Sequence, residues 1–249
     1  MESVFTVIIP ARYNSQRLPG KALIKLAGKP MIQHVFERVS ESDAAAVVVA
    51  TDDERIAEVV KAFGGTVCMT SGVHPSGTDR VHEAAQTLGL APDDVVVNVQ
   101  GDEPLIPAVV IEQVAANLIR TGVPVASLYE TMMEMDEVLD PGNVKVVTDE
   151  NDNALYFSRS PIPYDRDQQN DPGKVSYKRH LGIYAYRLSF LNDFVSWPQC
   201  VLESVEKLEQ LRALSHGIKI HVAKASVSIP AGVDTPEDLE RTRRIMEAR

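Results

Sequence analysis

The chain has 249 residues, 44% of them hydrophobic, with 35 acidic against 25 basic side chains and a formal net charge of −10. That length suits one large α/β domain or two small ones with a sizeable core, and the acidic balance argues against nucleic acid as a partner, because phosphate-backbone binding needs a basic field. The longest wholly apolar runs, such as 44–50, are too short to span a bilayer, no signal peptide is expected from the N-terminal residues, and two distant cysteines, Cys68 and Cys200, point to reduced cytosol rather than to a disulfide scaffold or zinc cluster.

Strands and helices alternate through the first half. Residues 4–10 read as a buried strand, and 30–40 as a helix with Met31, Ile32, Val35, Phe36 and Val39 on one stripe. Residues 47–50 form a second buried strand, after which Thr51-Asp52-Asp53-Glu54 has the pattern of a capping box opening a helix to Phe63. A strand at 66–69 and a helix at 78–88 follow. The strand at 95–100 is apolar on both faces, as a parallel sheet requires, and a helix spans about 107–120. This order predicts an open, mostly parallel, doubly wound α/β sheet.

The stretch 125–217 differs. Strands at 125–129, 144–148, 154–157 and 181–186 have no clear helices between them, and 165–174 is polar and reads as a mobile loop. A smaller lobe with mixed or antiparallel character is expected here, set against a nucleotide-binding lobe of about 1–124 plus 218–249, all in one α/β domain. A helix at 203–215, a strand at 218–223 and a helix at 235–247, with Thr235 as cap and Pro236 in its first turn, complete the chain.

In such a sheet, ligands bind beyond the carboxyl ends of the strands. Four segments are placed there: the loop after strand one, Asp52, Gln100-Gly101-Asp102-Glu103-Pro104, and Gly232-Val233-Asp234-Thr235-Pro236. The first loop is unusual. No acidic residue occurs between Ser3 and Phe36, yet Arg12, Arg17, Lys21, Lys25 and Lys29 all fall there. A solvated basic surface is one reading. A compact, highly charged anion held at a strand-to-helix turn is the other, and the better supported. Walker A and dinucleotide-binding glycine patterns are absent, as is a Gly-x-Ser-x-Gly elbow. Side-chain cations and backbone N–H groups near Ala11 would therefore hold a polyphosphate. Asp102 and Asp234 face the same crevice and suggest magnesium, which takes one or two carboxylates together with water and phosphate oxygens. Turn and helix-start preferences account for each aspartate taken singly.

Read together, Pro10-Ala11-Arg12, Ser15, Arg17-Leu18-Pro19-Gly20-Lys21, Ser76-Gly77-Thr78-Asp79-Arg80 and Asn98-Val99-Gln100-Gly101-Asp102-Glu103-Pro104 resemble the signature of the CMP-KDO synthetases (3-deoxy-manno-octulosonate cytidylyltransferases). The likeness continues through Tyr156-Phe157-Ser158-Arg159, His180-Leu181-Gly182-Ile183-Tyr184, Leu208-Glu209-Gln210-Leu211-Arg212 and 232–239, in order over nearly the whole chain. The resemblance implies a nucleotide-diphospho-sugar transferase-like fold and CTP bound by Pro10, Ala11, Arg12, Lys21, Ser76, Gly77, Gln100 and Asp102. It implies Mg2+ on Asp102 and Asp234, and the sugar acid KDO near Arg17, Arg159, His180, Tyr184, Glu209 and Gln210.

It further implies Arg12, Lys21, Asp102 and Asp234 as the catalytic set, a homodimer built through the middle lobe, and a cytoplasmic role in lipopolysaccharide biosynthesis without membrane insertion. Three alternatives are weighed. A CMP-sialic acid synthetase usually carries Gly-Ser-Lys where this chain has Asn14-Ser15-Gln16. A glycosyltransferase of related fold usually shows Asp-x-Asp where this chain has Gly101-Asp102-Glu103. A non-catalytic nucleotide sensor would bind CTP and release no diphosphate.

Overall fold

The computed structural model describes residues 4–14, 18–167 and 172–247. Its centre is β1 (Phe5–Ala11), in which Val7, Ile8 and Ile9 are wholly buried in succession. Apolar residues pointing to both faces make this a strand covered on both sides. Two short strands, β2 (Lys25–Leu26) and β3 (Lys29–Pro30), pair antiparallel as a separate hairpin and lead into α1 (Met31–Val39). The chain then alternates: β4 (Ala46–Thr51), α2 (Glu54–Ala62), β5 (Thr66–Met69), α3 (Gly77–Thr87), β6 (Val95–Asn98) and α4 (Ala108–Thr121). α1 and α4 bury their apolar stripes, Ile32, Val35, Val39 and Val110, Val114, Leu118, in one cluster with β1.

The predicted alternation is therefore present, with one local correction. The cap of α2 is Asp53, whose side chain accepts the Arg55 N–H, and not Thr51. Thr51 Oγ1 instead accepts the Asp53 N–H at 3.2 Å. Both residues satisfy backbone donors, so the Thr-x-x-Glu pattern marked the right turn two residues early.

Beyond α4 lie β7 (Val125–Thr131), α5 (Met135–Leu139), β8 (Lys145–Thr148), β9 (Ala154–Ser158), α6 (Pro172–Val175), β10 (Lys178–Arg187), α7 (Leu188–Phe194), α8 (Val201–Glu206), α9 (Gln210–Ser215), β11 (Ile220–Lys224) and α10 (Pro236–Glu247). Of the stretch 165–174, residues 168–171 lie outside the described residues, and 172–175 are helical.

The main sheet has nine strands among the described residues, with the path β11-β7-β10-β6-β1-β4-β5. β1, β4, β5 and β6 run parallel, as do β7 and β11, while β10 is antiparallel to both β6 and β7. β8 joins β10 at Lys145 opposite Arg179 and pairs antiparallel with β9. The antiparallel character of the middle stretch is thus built into the same sheet through β10, and only β8 and β9 leave its path. Reversal has a positional effect. It brings the beginning of β10, not its end, to the edge where β1, β4 and β6 finish.

The region 203–215 is two helices, not one. Lys207 turns left-handed at φ 55 and separates α8 from α9. Leu208 and Leu211 are both buried just after the break, while Val201, Leu202 and Val205 before it are exposed. The two pieces are joined by a buried ion pair: Arg212 donates to both oxygens of Glu203, at 2.9 and 2.6 Å. Removing one partner of such a pair strands the other charge out of water, which costs about 3–5 kcal/mol. Glu203→Ala should therefore lower the urea-unfolding free energy by an amount in that range, and a loss below about 1 kcal/mol would show that the pair is effectively solvated.

Candidate active site

The loop after β1 is folded to deliver Lys21. Gly20 sits at φ 68, and a Cβ there would meet the Tyr13 ring at 3.2 Å. Its N–H donates to the Tyr13 carbonyl at 3.0 Å, closing the loop. A residue with a side chain would be strained at that φ and crowded as well. Gly20 is thus no phosphate cradle in itself; it lets the chain turn so that the next side chain points inward.

Lys21 Nζ donates to Asp102 Oδ2 at 2.6 Å and to Asp234 Oδ1 at 2.9 Å. Aspartates 132 positions apart in sequence (234 − 102) are gathered on one ammonium. Burial opposes the charge on Lys21, but contacts with Asp102 and then Asp234 outweigh it, and the amine titrates above its ordinary range. The backbone holds the two acidic loops together independently. Val233 N–H donates to the Asp102 carbonyl at 2.8 Å. On the other side, a Cβ at Gly101 would come within 3.0 Å of the Pro10 carbonyl, so the Asp102 loop also lies flush against β1.

Two cavities meet at these carboxylates. One, of about 470 Å³, is lined by Pro10, Ala11, Arg12, Lys21, Gln100 and Asp102, with Asp234 at its far wall. A small annex of about 60 Å³ extends it past Ser76, Gly77 and His74. All the residues predicted for CTP line this pair of cavities, with Arg12 exposed where they join. Ser76 caps α3 by accepting the Asp79 N–H. Asp52, also placed at this edge, is engaged by Arg80, whose Nη2 lies 3.1 Å from Asp52 Oδ1.

The second cavity, of about 540 Å³, shares Gln100, Asp102 and Asp234 with the first and continues past Glu103, Arg179, His180, Tyr184 and Gln210. A bulge in β10 shapes its wall. Leu181 faces Leu128 and Tyr184 faces Ser127, so Gly182 and Ile183 are extra on β10. The Ser127 hydroxyl reaches the Leu181 and Ile183 carbonyls at 3.1 and 2.9 Å and lies 3.0 Å from His180 Nε2. Packed edge-on to Phe157, His180 is pushed by burial down to about 3 and is neutral at pH 7. Glu103 is pushed up to about 8 by burial and by the charge of Asp102, with Arg179 pulling the other way.

The predicted sugar-side residues are thus only partly brought together. His180, Tyr184 and Gln210 line the larger cavity. Glu209 does not; it accepts hydrogen bonds from Ser76 and Thr78 at 2.8 and 2.9 Å and lines a smaller cavity beside Tyr184 and Gln210. Burial raises its carboxyl above the ordinary range. The Arg159 guanidinium is directed to the carbonyls of Glu206 and Pro141, at 2.8 Å each, and lines none of these cavities. Arg17 lies outside the described residues. Glu103 and Arg179 were not predicted. The signal available for Arg179 was the Lys178-Arg179-His180 run, which reads as surface if β10 is begun at Leu181.

Comparison with known proteins agrees with this geometry. A family model described as cytidylyltransferase matches residues 6–220. The chain is 56% identical to a 3-deoxy-manno-octulosonate cytidylyltransferase of Pseudomonas fluorescens, over the whole of both chains. It is 56% identical to one from Saccharophagus degradans, covering 96% of this chain and 97% of the relative. A solved structure of CMP:2-keto-3-deoxy-manno-octonic acid synthetase complexed with CTP superposes with a TM-score of 0.91 at 42% identity, covering 98% of each chain.

The spacing of the two acidic loops is testable. A Cβ at Gly232 would lie 3.2 Å from the Asp102 carbonyl and 3.5 Å from Glu103 Cγ. Gly232→Ala should push the loops apart and slow diphosphate release roughly 10-fold, with a thermal midpoint only slightly changed. Unchanged kcat would mean that the loop spacing is not critical.

Proposed function

The chain belongs to the cytidylyltransferase family, and on that premise we propose its function: it transfers CMP from CTP to 3-deoxy-manno-octulosonate (KDO), giving CMP-KDO and diphosphate. It is a nucleotidyltransferase. The observation that carries the reading is the meeting of two cavities at one pair of carboxylates. A cationic loop walls one cavity, and a polar cavity of sugar size opens on the other side.

In the reaction, the anomeric hydroxyl of the sugar acid attacks the α-phosphorus of CTP in line, the bond to the β-phosphate oxygen breaks, and diphosphate leaves with both electrons. The hydroxyl proton passes to solvent or phosphate. Both reactants are anions, so the barrier is chiefly electrostatic. Arg12 and Lys21 face the departing diphosphate, where charge develops. Pro10, Ala11, Ser76, Gly77 and Gln100 shape the space for the nucleoside. His180, neutral, offers a hydrogen bond to the sugar rather than charge.

Asp102 and Asp234 would hold Mg2+. Their fit to it rests on their convergence on a single cation, the Lys21 ammonium. No group of three or more acidic, His or Cys side chains gathers among the described residues. A pair alone suits an ion that completes its shell with water and phosphate oxygens. When bound, the ion would supply Lewis-acid stabilisation of phosphate charge.

The product suits lipopolysaccharide assembly, and the free cysteines Cys68 and Cys200 suit a reducing cytoplasm. Among the described residues, no helix is long and apolar enough to cross a membrane. A homodimer through the stretch 125–217 is supported by the exposed apolar side chains of Leu155, Val201 and Val205.

The deciding assay is diphosphate release from CTP with a panel of sugar acids and Mg2+. Turnover should need CTP, KDO and Mg2+ together. Equal activity with sialic acid, or nucleoside diphosphate released from a nucleotide sugar, would reassign the enzyme. Lys21 gives a second test with opposite signs in two readouts. Lys21→Met removes both a phosphate contact and the ammonium that competes for the carboxylates. It should weaken CTP use at least 10-fold, yet tighten Mn2+ binding to the nucleotide-free protein, measured by electron spin resonance. Looser Mn2+ binding would mean that Lys21 does not occupy the metal's place.

A further inference from the structure

The larger cavity presents an electrostatic problem. Asp102, Asp234 and Asp238 line it as carboxylates, beside a Glu103 carboxyl that burial keeps mostly protonated at pH 7, and the ligand assigned to it is itself a carboxylate. Something cationic must meet that carboxylate. Among the described lining residues, Arg179 is the only permanent cation, since His180 is neutral and Lys21 lines the other cavity.

Arg179 stands near the start of β10, directly opposite Glu130 on β7. Its Nη2 donates to Glu130 Oε2 at 2.5 Å. That is the one hydrogen bond its guanidinium makes among the described residues, and a guanidinium has five N–H donors in a fixed fork. Glu130 is braced in turn: its Oε1 accepts the Ile229 N–H at 2.7 Å. Ile229 begins the stretch Ile229-Pro230-Ala231-Gly232, which forms another wall of the cavity and leads to Asp234. The pair is partly sheltered, with side-chain exposures of 24% for Arg179 and 18% for Glu130. One edge of the fork is thus fixed and the rest has donors left for a ligand.

We propose that Arg179 is a specificity-determining residue that binds the carboxylate of the sugar acid, and that Glu130 is the positioning residue that orients it. The proposal rests on the assignment of this cavity to a sugar acid. It explains why a site rich in carboxylates accepts an anionic sugar at all. It also gives the β10 reversal a chemical purpose, because only a strand starting at this edge places residue 179 there.

The alternative is a cross-strand ion pair that merely ties β10 to β7. Kinetics and binding of the full chain separate the two. Arg179→Gln should raise the KM for the sugar acid roughly 10- to 100-fold, as loss of a charge-assisted contact implies, and leave the KM for CTP within about twofold. Arg179→Lys should fall between it and the wild type. Glu130→Gln, which keeps an acceptor for the Ile229 N–H, should raise the same KM by a smaller factor.

The decisive comparison uses the uncharged carboxamide of the sugar acid as competitor. The wild type should prefer the acid over the amide, and Arg179→Gln should bind the two alike. An unchanged KM, or equal losses for acid and amide with a lowered thermal midpoint, would overturn the proposal in favour of the tie. Calorimetric titration of the sugar acid keeps this separate from the assigned function. Binding that depends on Arg179 without any diphosphate release would retire the reaction and keep the site. Turnover in the wild type with no effect of Arg179→Gln would do the reverse.

Discussion

Everything at the candidate site is arranged around one contact, the Lys21 ammonium held between Asp102 and Asp234. The three residues come from three segments remote in sequence, and the ammonium is what offsets the repulsion between the two carboxylates. Two carboxylates brought this close repel each other, and a buried ammonium alone would shed its proton. Together they form a charged junction with net charge of about −1, ready to accept a stronger cation in exchange. The backbone supports the exchange because it does not depend on Lys21. The Val233-to-Asp102 hydrogen bond and the close approaches at Gly101 and Gly232 hold the loops in place by main-chain contacts. The lysine can leave the carboxylates for a phosphate while the carboxylates stay where they are.

The sheet is what brings these loops to one edge. β1 lies between β6 and β4, and chain connections depart from it in opposite directions, leaving a crevice at its carboxyl end. Burial along all of β6 and along β1 except at Pro10 makes that edge rigid. The charged groups Arg12, Lys21, Asp102 and Asp234 lie beyond it, where the nucleotide-side cavity opens. Reversal of β10 widens the edge, and its bulge turns His180 and Tyr184 toward the second cavity. A stiff apolar body with a polar rim is the division of labour expected when binding residues must be held closely without being buried in oil-like surroundings.

The nucleotide side was legible in the sequence because each of its parts is a short contiguous run at the edge of a regular element. Pro10-Ala11-Arg12 ends β1, Gln100-Gly101-Asp102 follows β6, Gly232-Val233-Asp234 precedes α10, and all three meet in space. The sugar side was less legible for identifiable reasons. Its wall depends on a β-bulge, which has no local signature beyond one glycine, and on the helix break at Lys207. A glycine there would have announced a left-handed turn, but a lysine does not. Glu209, expected near the sugar acid, follows this break and is held as the partner of Ser76 and Thr78. Arg159 carried a motif and proved to be directed at backbone carbonyls. Arg179 carried none of its own and lines the cavity.

Gln100 lines all four cavities described above, the two larger ones included. One side chain therefore forms part of two binding surfaces. A free glutamine samples several rotamers, and fixing it costs up to about 1.5–2 kcal/mol of entropy. Whichever ligand arrives first and contacts it bears that cost, and the second then meets a side chain already ordered. Because the coupling belongs to the equilibrium and not to the order of arrival, each ligand must strengthen the other by the same factor. Cooperativity between two chemically unlike molecules can arise here from a single shared residue, with no movement of the fold.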